Sequence, residues 1–160
     1  MNRIDALQSH IDQLLLEMPD ASERRWAYLH LYGVAQACAL IALKRGEDAE
    51  LATMAGMLHD LYRCTASAAK SHAQKGAVLA REILNKLGFT TDAETGLICS
   101  AIHHHSEKSG AFSGLTEILI DADVMEHCLY NVTLPVDEKE KDRFHKLMQE
   151  FGIRNSGCGT

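Results

Sequence analysis

The sequence contains few prolines, the residues that interrupt regular structure, and it lacks long apolar runs. Pro19 and Pro135 are its only prolines, and no uninterrupted apolar run approaches the roughly 20 residues of a membrane-spanning helix. Residues 1–5 lack the cationic-then-apolar pattern of a secretion signal. These absences predict a helix-rich chain that has no membrane partner, and they favour the cytoplasm.

Cysteine pairs and an excess of positive charge are absent as well. The five cysteines are odd in number, widely spaced and never in a C-x-x-C pair, so neither a zinc knuckle nor a disulfide framework is expected. With 22 acidic and 16 basic residues the formal net charge is −6, which argues against binding to a nucleic-acid polymer or an anionic membrane. We expect residues 1–160 to form one domain.

Apolar residues recur at helical spacing along most of the chain. Seven helices are predicted, at about residues 2–18, 22–45, 47–60, 71–88, 91–105, 115–129 and 137–151. Small polar residues predict a loop at 64–71, two glycines predict another at 106–114, and the tail 152–160 is expected to fray. The expected fold is all-α, a single-domain bundle of six or seven helices.

The same spacing predicts which side chains face the core. In the second helix these are Leu29, Val34, Ala37, Leu40 and Ile41. In the fourth helix they are Val78, Leu79, Ile83 and Leu84. Met54 and Met57, in the third helix, are expected to pack in the core rather than bind a metal.

A histidine followed by an aspartate, His59-Asp60, ends the third predicted helix, and Arg63 comes three residues later. Imidazole and carboxylate form a mixed nitrogen–oxygen donor set for a metal, and a nearby guanidinium suits a phosphate oxygen. Because this dipeptide is common by chance, its meaning depends on further donors elsewhere in the chain.

Further donors lie on the predicted helices or at their ends. The candidate metal ligands are His30, His59, Asp60, His72, His105 and Asp123. A helical bundle can direct such side chains from several helices into one central site. This set suits one or two divalent ions, with Fe, Mn, Zn, Ni, Co and Mg as candidates, and an ion-bound water becomes a nucleophile near neutral pH.

Several of these residues have alternatives. Among three consecutive histidines at most two can face one site, and spacing favours His105, then His104, with His103 at the surface. His72 is either a ligand or the cap of its helix, and Arg63 is either a phosphate contact or a surface residue. Asp121 competes with Asp123. The remaining histidines are expected to be structural or at the surface, namely His10, His127 and His145.

The order H…HD…D resembles the HD-domain superfamily of metal-dependent phosphohydrolases, with His30, His59-Asp60 and Asp123 as the matched residues. Four stretches add to the resemblance, which covers about residues 22–130: residues 58–63 resemble "LHD-x-x-K/R", 72–77 "H-x-x-x-G-A", 101–105 "A-I-x-x-H" and 121–123 "x-A-D". The extra histidines resemble two-metal branches such as the symmetrical diadenosine tetraphosphate hydrolases. Ala27 departs from that branch, which usually has arginine there, and the loop after the HD pair is shorter.

The resemblance implies a role for each candidate. A first ion is held by His30, His59, Asp60 and Asp123, and Asp60 bridges to a second ion held by His72 and His105. The pattern favours Asp123 over Asp121 as the ligand. The catalytic residues implied are Asp60 and Arg63, and the substrate contacts are Arg63, Lys75 and His104, with Arg25 and Lys108 as weaker candidates.

The function expected from this resemblance is hydrolysis of a phosphate ester or anhydride by metal-bound hydroxide. The partner is a small phosphorylated molecule, with a nucleotide favoured, and a homodimer is left open. Two alternatives remain: a regulatory or ligand-binding HD module with little turnover, and an oxygenase with a di-iron centre.

Overall fold

The computed structural model describes residues 2–66 and 70–153, and within these ranges every regular element is a helix. The elements are α1 (Arg3–Leu16), α2 (Ala21–Arg45), α3 (Ala49–Leu58), α4 (Leu61–Ala66), α5 (His72–Leu87), α6 (Asp92–His104), α7 (Gly114–Tyr130) and α8 (Lys141–Glu150). The all-α prediction is confirmed. Seven helices have ten or more residues and lie where the sequence predicts them. The short helix α4 occupies the start of the stretch predicted as a loop, and most of the predicted frayed tail lies outside the described residues.

Local sequence determines where several helices begin and end. The side chain of Asp20 accepts hydrogen bonds from the N–H groups of Ser22 and Glu23 at the start of α2. Thr91 and Glu94 form a capping box at the start of α6. Gly46 ends α2 with a φ of 72°, in the left-handed region that glycine adopts without steric cost.

Helix α2 is the central element and packs against α3 and α7. It is the one helix in the described ranges whose length and mean hydropathy, 1.4 in its most apolar window, would allow it to cross a membrane. Polar residues interrupt its apolar stretch, so it contains no long continuous apolar run. The buried side of α2 includes Ala27, Leu31, Val34 and Ile41. The apolar residues of this helix therefore pack in the core of the bundle.

Helices α2 and α3 approach each other closely at Gly56. A Cβ atom on Gly56 would lie 2.6 Å from the Cα atom of Ala35, so no larger residue fits there without a shift of the backbone. Small residues on α2 and α3 therefore allow the main chains of the two helices to approach closely. This approach sets the distance between neighbouring side chains on the two helices.

Three predictions of core residues were wrong. Leu29, Leu40 and Val78 are 49%, 51% and 60% exposed. On α2 the buried stripe is completed by small side chains, Ala35 and Cys38, rather than by the two leucines. Small residues contribute little to a hydropathy pattern. A prediction based on the large apolar residues therefore assigned the wrong side of α2 to the core.

Candidate metal centre

The six candidate ligands converge at the centre of the bundle. His30 comes from the middle of α2, His59 and Asp60 from the turn between α3 and α4, and His72 from the first residue of α5. His105 directly follows α6, and Asp123 lies within α7. All are buried except His72, which is partly exposed. Five separate segments of the chain thus supply one cluster.

A first group of donors surrounds His30. Its Nε2 lies 3.1 Å from Nε2 of His59, 3.5 Å from Oδ2 of Asp60 and 3.8 Å from Oδ1 of Asp123. The distance from Nε2 of His59 to Oδ1 of Asp123 is 3.7 Å. Donors that share an ion at bonds of about 2.1 Å lie roughly 3 to 4 Å apart, so this spacing fits a metal ion.

A second group surrounds the other oxygen of Asp60. Oδ1 lies 3.4 Å from Nε2 of His105 and 3.5 Å from Nε2 of His72. Within the described residues, Oδ1 of Asp60 and Oδ1 of Asp123 are buried yet accept no hydrogen bond. Such carboxylate oxygens are costly without a positive partner. The donor set therefore fits a divalent cation, and the two oxygens of Asp60 face two different groups of donors.

Hydrogen bonds at Nδ1 orient three of the imidazole rings. Nδ1 of His59 donates to the carbonyl of Gly56 at 2.8 Å, and Nδ1 of His105 donates to that of Ile102 at 2.7 Å. Nδ1 of His30 lies 2.8 Å from Oε2 of Glu126. With Nδ1 engaged in this way, Nε2 is the nitrogen of each ring that faces the cluster, which is how outer hydrogen bonds orient metal-binding histidines.

Burial and nearby charges control protonation in the cluster. Burial lowers the pKa of His59 to about 3, so this ring is neutral near pH 7. Burial also opposes charge on His30, but hydrogen bonds with Asp60 and Glu126 outweigh it and raise its pKa to about 9. The pKa values of Asp60 and Asp123 lie below their usual range despite burial, because positive and polar neighbours stabilise both carboxylates. The centre therefore carries ionised oxygen donors.

The family model of the HD domain matches residues 27–130, a range that contains all six clustered residues. The chain belongs to the HD domain family. A crystal structure of a predicted HD superfamily hydrolase from an uncultured Thermotogales bacterium is similar in fold, with a TM-score of 0.60 at 21% identity over 94% of this chain and 89% of that one. A search among curated proteins gave no significant match. These comparisons confirm the predicted superfamily.

Cations border the cluster of this HD domain on two sides. A guanidinium nitrogen of Arg63 lies 2.9 Å from Oδ2 of Asp60, and its Cζ lies 5.4 Å from the centre of the Trp26 ring. On the other side the ammonium of Lys108 contacts Oδ2 of Asp123. Arg143 donates to the carbonyl of Lys108 at 3.2 Å and thereby holds this loop in place. Arg63 and Lys108 both line the pocket above the donors.

Asp121 and Asp123 have separate environments, although both are buried on α7. Oδ2 of Asp121 accepts from Arg45 at 2.7 Å, and Oδ1 accepts from Arg143 at 2.6 Å. Asp121 therefore belongs to an ion-pair network between α2, α7 and α8. Of the two competing aspartates, Asp123 is the one that faces the histidines.

Two predicted substrate contacts lie away from the pocket. Nδ1 of His104 lies 2.7 Å from Oε1 of Glu107, and its ring lines a surface groove that also contains His103. The ammonium of Lys75 lies 5.6 Å from the centre of the Tyr62 ring. Neither His104 nor Lys75 lines the pocket above the donors, whereas His105 does.

Two neighbouring cavities open over the candidate metal centre. One, of about 400 Å³, is lined by Asp60, Arg63, His72, His105 and Lys108 among others. The second, of about 350 Å³, has an aromatic and aliphatic wall made of Trp26, Tyr130, Leu134, Pro135 and Val136. Three residues line both cavities, namely His127, Lys139 and Glu140.

Several residues of the centre were missed from the sequence. Glu126 and His127 follow Asp123 by three and four positions, so they lie on the same face of α7, and this spacing was a usable signal. Lys139 and Glu140 come from the segment before α8, beyond the residues that the family model matches. No local pattern links them to the histidines, because a turn and a loop separate them from α7.

Proposed function

We propose that this HD domain is a metal-dependent phosphohydrolase that cleaves a phosphate ester or anhydride, with a nucleotide as the favoured substrate. The observation that carries the proposal is the position of Asp60, whose two oxygens face two different groups of histidine donors at 3.4 to 3.5 Å. Bound divalent ions supply a water nucleophile at neutral pH and polarise phosphoryl oxygens.

The protein's own residues contribute position and charge. Asp60 and Asp123 are buried and ionised, so they hold a strong negative potential at the floor of the pocket. Arg63 is 42% exposed on its side chain and lies at the pocket edge, where its planar guanidinium can hold two phosphate oxygens. Lys108 adds a second cation across the pocket. Together they stabilise the charge that develops on a transferred phosphoryl group.

The second cavity supports the choice of a nucleotide. Its aromatic and aliphatic wall suits a planar, largely apolar group, while the neighbouring cavity contains the cations that suit phosphate. A nucleotide combines both parts in one molecule, with the base and the phosphate separated by the sugar. A simple sugar phosphate would leave the apolar wall exposed to water.

A screen for released phosphate tests the proposal. It should use nucleoside monophosphates, dinucleoside polyphosphates, cyclic nucleotides and ribose 5-phosphate, each with several divalent metals. Asp60→Asn is the control for contaminating phosphatases, since it removes the bridging charge. Phosphate release that Asp60→Asn abolishes supports the hydrolase. No release from any substrate at full metal loading would favour the ligand-binding module, and oxygen consumption by the iron-loaded protein would favour the oxygenase.

The single tryptophan gives an independent test of the substrate class. Trp26 lines the apolar cavity, so a bound base should quench its fluorescence. Nucleoside monophosphate should quench at lower concentrations than ribose 5-phosphate does. Equal hydrolysis of both compounds without quenching would keep the hydrolase and reject the nucleotide.

A further inference from the structure

His127 belongs to the centre although it lies outside the H…HD…D motif and outside the six predicted ligands. It lies one helical turn after Asp123 on α7, and its Nε2 is 3.4 Å from Oδ1 of Asp123. That oxygen is buried and accepts no hydrogen bond from the described residues, so His127 does not donate to it. Oδ1 of Asp123 also faces His30 and His59, as described above. His127 thus brings a fifth donor atom to the first group, after those of His30, His59, Asp60 and Asp123.

The orientation of His127 is fixed by a buried carboxylate. Nδ1 of His127 lies 3.2 Å from Oε1 of Glu140, whose side chain is only 5% exposed. A hydrogen bond donated from Nδ1 leaves the lone pair of Nε2 directed at the cluster. This carboxylate–histidine arrangement is the one that presents an imidazole to a metal, and Glu126 serves His30 in the same way.

Ring stacking holds His127 next to a predicted ligand. The rings of His127 and His30 are 5.4 Å apart at an angle of 10°, and His30 is also stacked on Trp26 at 4.9 Å and 13°. The parallel rings direct their Nε2 atoms to the same region, since both atoms lie within 3.8 Å of Oδ1 of Asp123. Stacking therefore restricts His127 to an orientation that points into the centre.

We propose that His127 is an additional ligand of the ion held by His30, His59, Asp60 and Asp123, and that Glu140 positions it. Its separation of 3.4 Å from the Asp123 oxygen is that of two donors on one ion with bonds of about 2.1 Å. Glu140 lies outside the family-matched range 27–130. The segment before α8 therefore completes a site whose other ligands come from the HD motif.

The additional donor distinguishes the two ions. The first ion gains a third imidazole, whereas the second has two imidazoles and one shared carboxylate oxygen. Because His127 is 37% exposed on its side chain and lines both cavities, it is also the ligand that a bound molecule can reach. Because of the additional imidazole, the first ion should bind more tightly than the second.

Metal binding tests the proposal without any assay of activity. His127→Gln and Glu140→Ala should each weaken the binding of the first ion by about 10- to 100-fold, the range for loss of a carboxylate that orients a ligand. Glu140→Gln keeps a hydrogen-bond acceptor and should retain most of the affinity. His145→Gln, an exposed histidine on α8, is the matched control.

The cobalt-substituted protein provides the deciding measurement. Replacement of an imidazole ligand should change the visible absorption of bound Co²⁺ in His127→Gln and leave it unchanged in His145→Gln. Thermal unfolding of the metal-free variants separates loss of a ligand from loss of the fold. Unchanged affinity and an unchanged cobalt spectrum in a folded His127→Gln would overturn the proposal. If that variant nevertheless slows catalysis, His127 would act in substrate binding or proton transfer rather than in metal binding. The result is independent of whether the protein proves to be a phosphohydrolase.

Discussion

Lys108 and Asp123 form a contact at the edge of the metal centre, with the ammonium against Oδ2 while Oδ1 faces the histidines. The lysine side chain is 12% exposed, so the pair is largely shielded from water. In the metal-free protein Lys108 therefore supplies part of the positive charge that the carboxylate needs. A bound ion supplies the same charge from the opposite oxygen.

Lys108→Met is expected to destabilise the metal-free protein and to matter much less for the metal-loaded one. Leaving a buried carboxylate without its partner costs about 3 kcal/mol. A metal ion on Oδ1 would compensate most of this loss. Urea unfolding with and without chelator measures the effect, and Lys44→Met, at an exposed lysine of α2 that lines neither cavity, is the control. Equal destabilisation in both states would show that Lys108 acts only in the fold.

Asp60 and His105 are expected to differ in the number of ions that their replacement removes. Asp60→Asn should lose both ions, because each of its oxygens faces one donor group. His105→Gln should lose the second ion and keep the first, whereas His30→Gln should weaken the first. Metal analysis by mass spectrometry after dialysis gives the stoichiometry. A wild-type titration that stops at one ion per chain, with His105→Gln unchanged, would establish a mononuclear centre.

Arg63→Ala is expected to reduce kcat/KM by about tenfold or more on a working substrate while the metal content stays at the wild-type value. The guanidinium lies on the pocket side of Asp60 and is available to phosphate oxygens. Lys75→Ala, which removes a cation outside the pocket, is the matched comparison and should have little effect. If Lys75→Ala has the larger effect, the substrate lies over α5 rather than in the pocket.

The stability of the metal-free protein should depend on pH through two histidines with opposite shifts. The pKa of His30 is raised from 6.5 to about 9, so its contribution is complete below pH 6.5 and is lost as the pH rises through 9. The pKa of His59 is lowered to about 3, so unfolding takes up a proton below pH 6.5 and stability falls towards acid. Denaturant unfolding with chelator present should show a maximum near pH 6.5.

His30→Gln should flatten the alkaline side of that curve and leave the acidic side in place. The same shift predicts that metal affinity increases with pH up to about 9, because an ion must displace the proton of His30. A pH-independent stability of the metal-free protein between 6.5 and 9 would contradict the assigned proton.

The sequence predicted the helices and the central donors because both depend on local signals. His59-Asp60 and His105 lie at helix ends, and Asp123 lies on an inward face of α7, so the order and spacing of the HD pattern marked them as candidates. The packing of separate helices then brings them together. Spacing alone did not show that His104 faces away from the pocket. The chain turns immediately after α6, so the side chains of His104 and His105 lie on different sides. Leu29 and Leu40 were misplaced because alanines and a cysteine fill the inner face of α2.

The outer part of the centre depends on tertiary structure. Glu140 reaches His127 only because the segment after α7 folds back over it, and no periodicity relates the two positions. Arg143 likewise secures the Lys108 loop from α8, across 35 positions of sequence. Such contacts arise from how whole helices pack, so a single sequence does not reveal them.

The close approach of Gly56 to the main chain of Ala35 affects the distance between two candidate metal ligands. His59 follows Gly56 by three residues and donates to its carbonyl, while His30 precedes Ala35 on the facing helix. The spacing of the two helices thus determines how far apart the two imidazole nitrogens stand, at 3.1 Å. A methyl group at position 56 would force the two helices apart, since it would lie 2.6 Å from the Cα atom of Ala35. A residue that does not line the pocket therefore sets the distance between two of the candidate ligands.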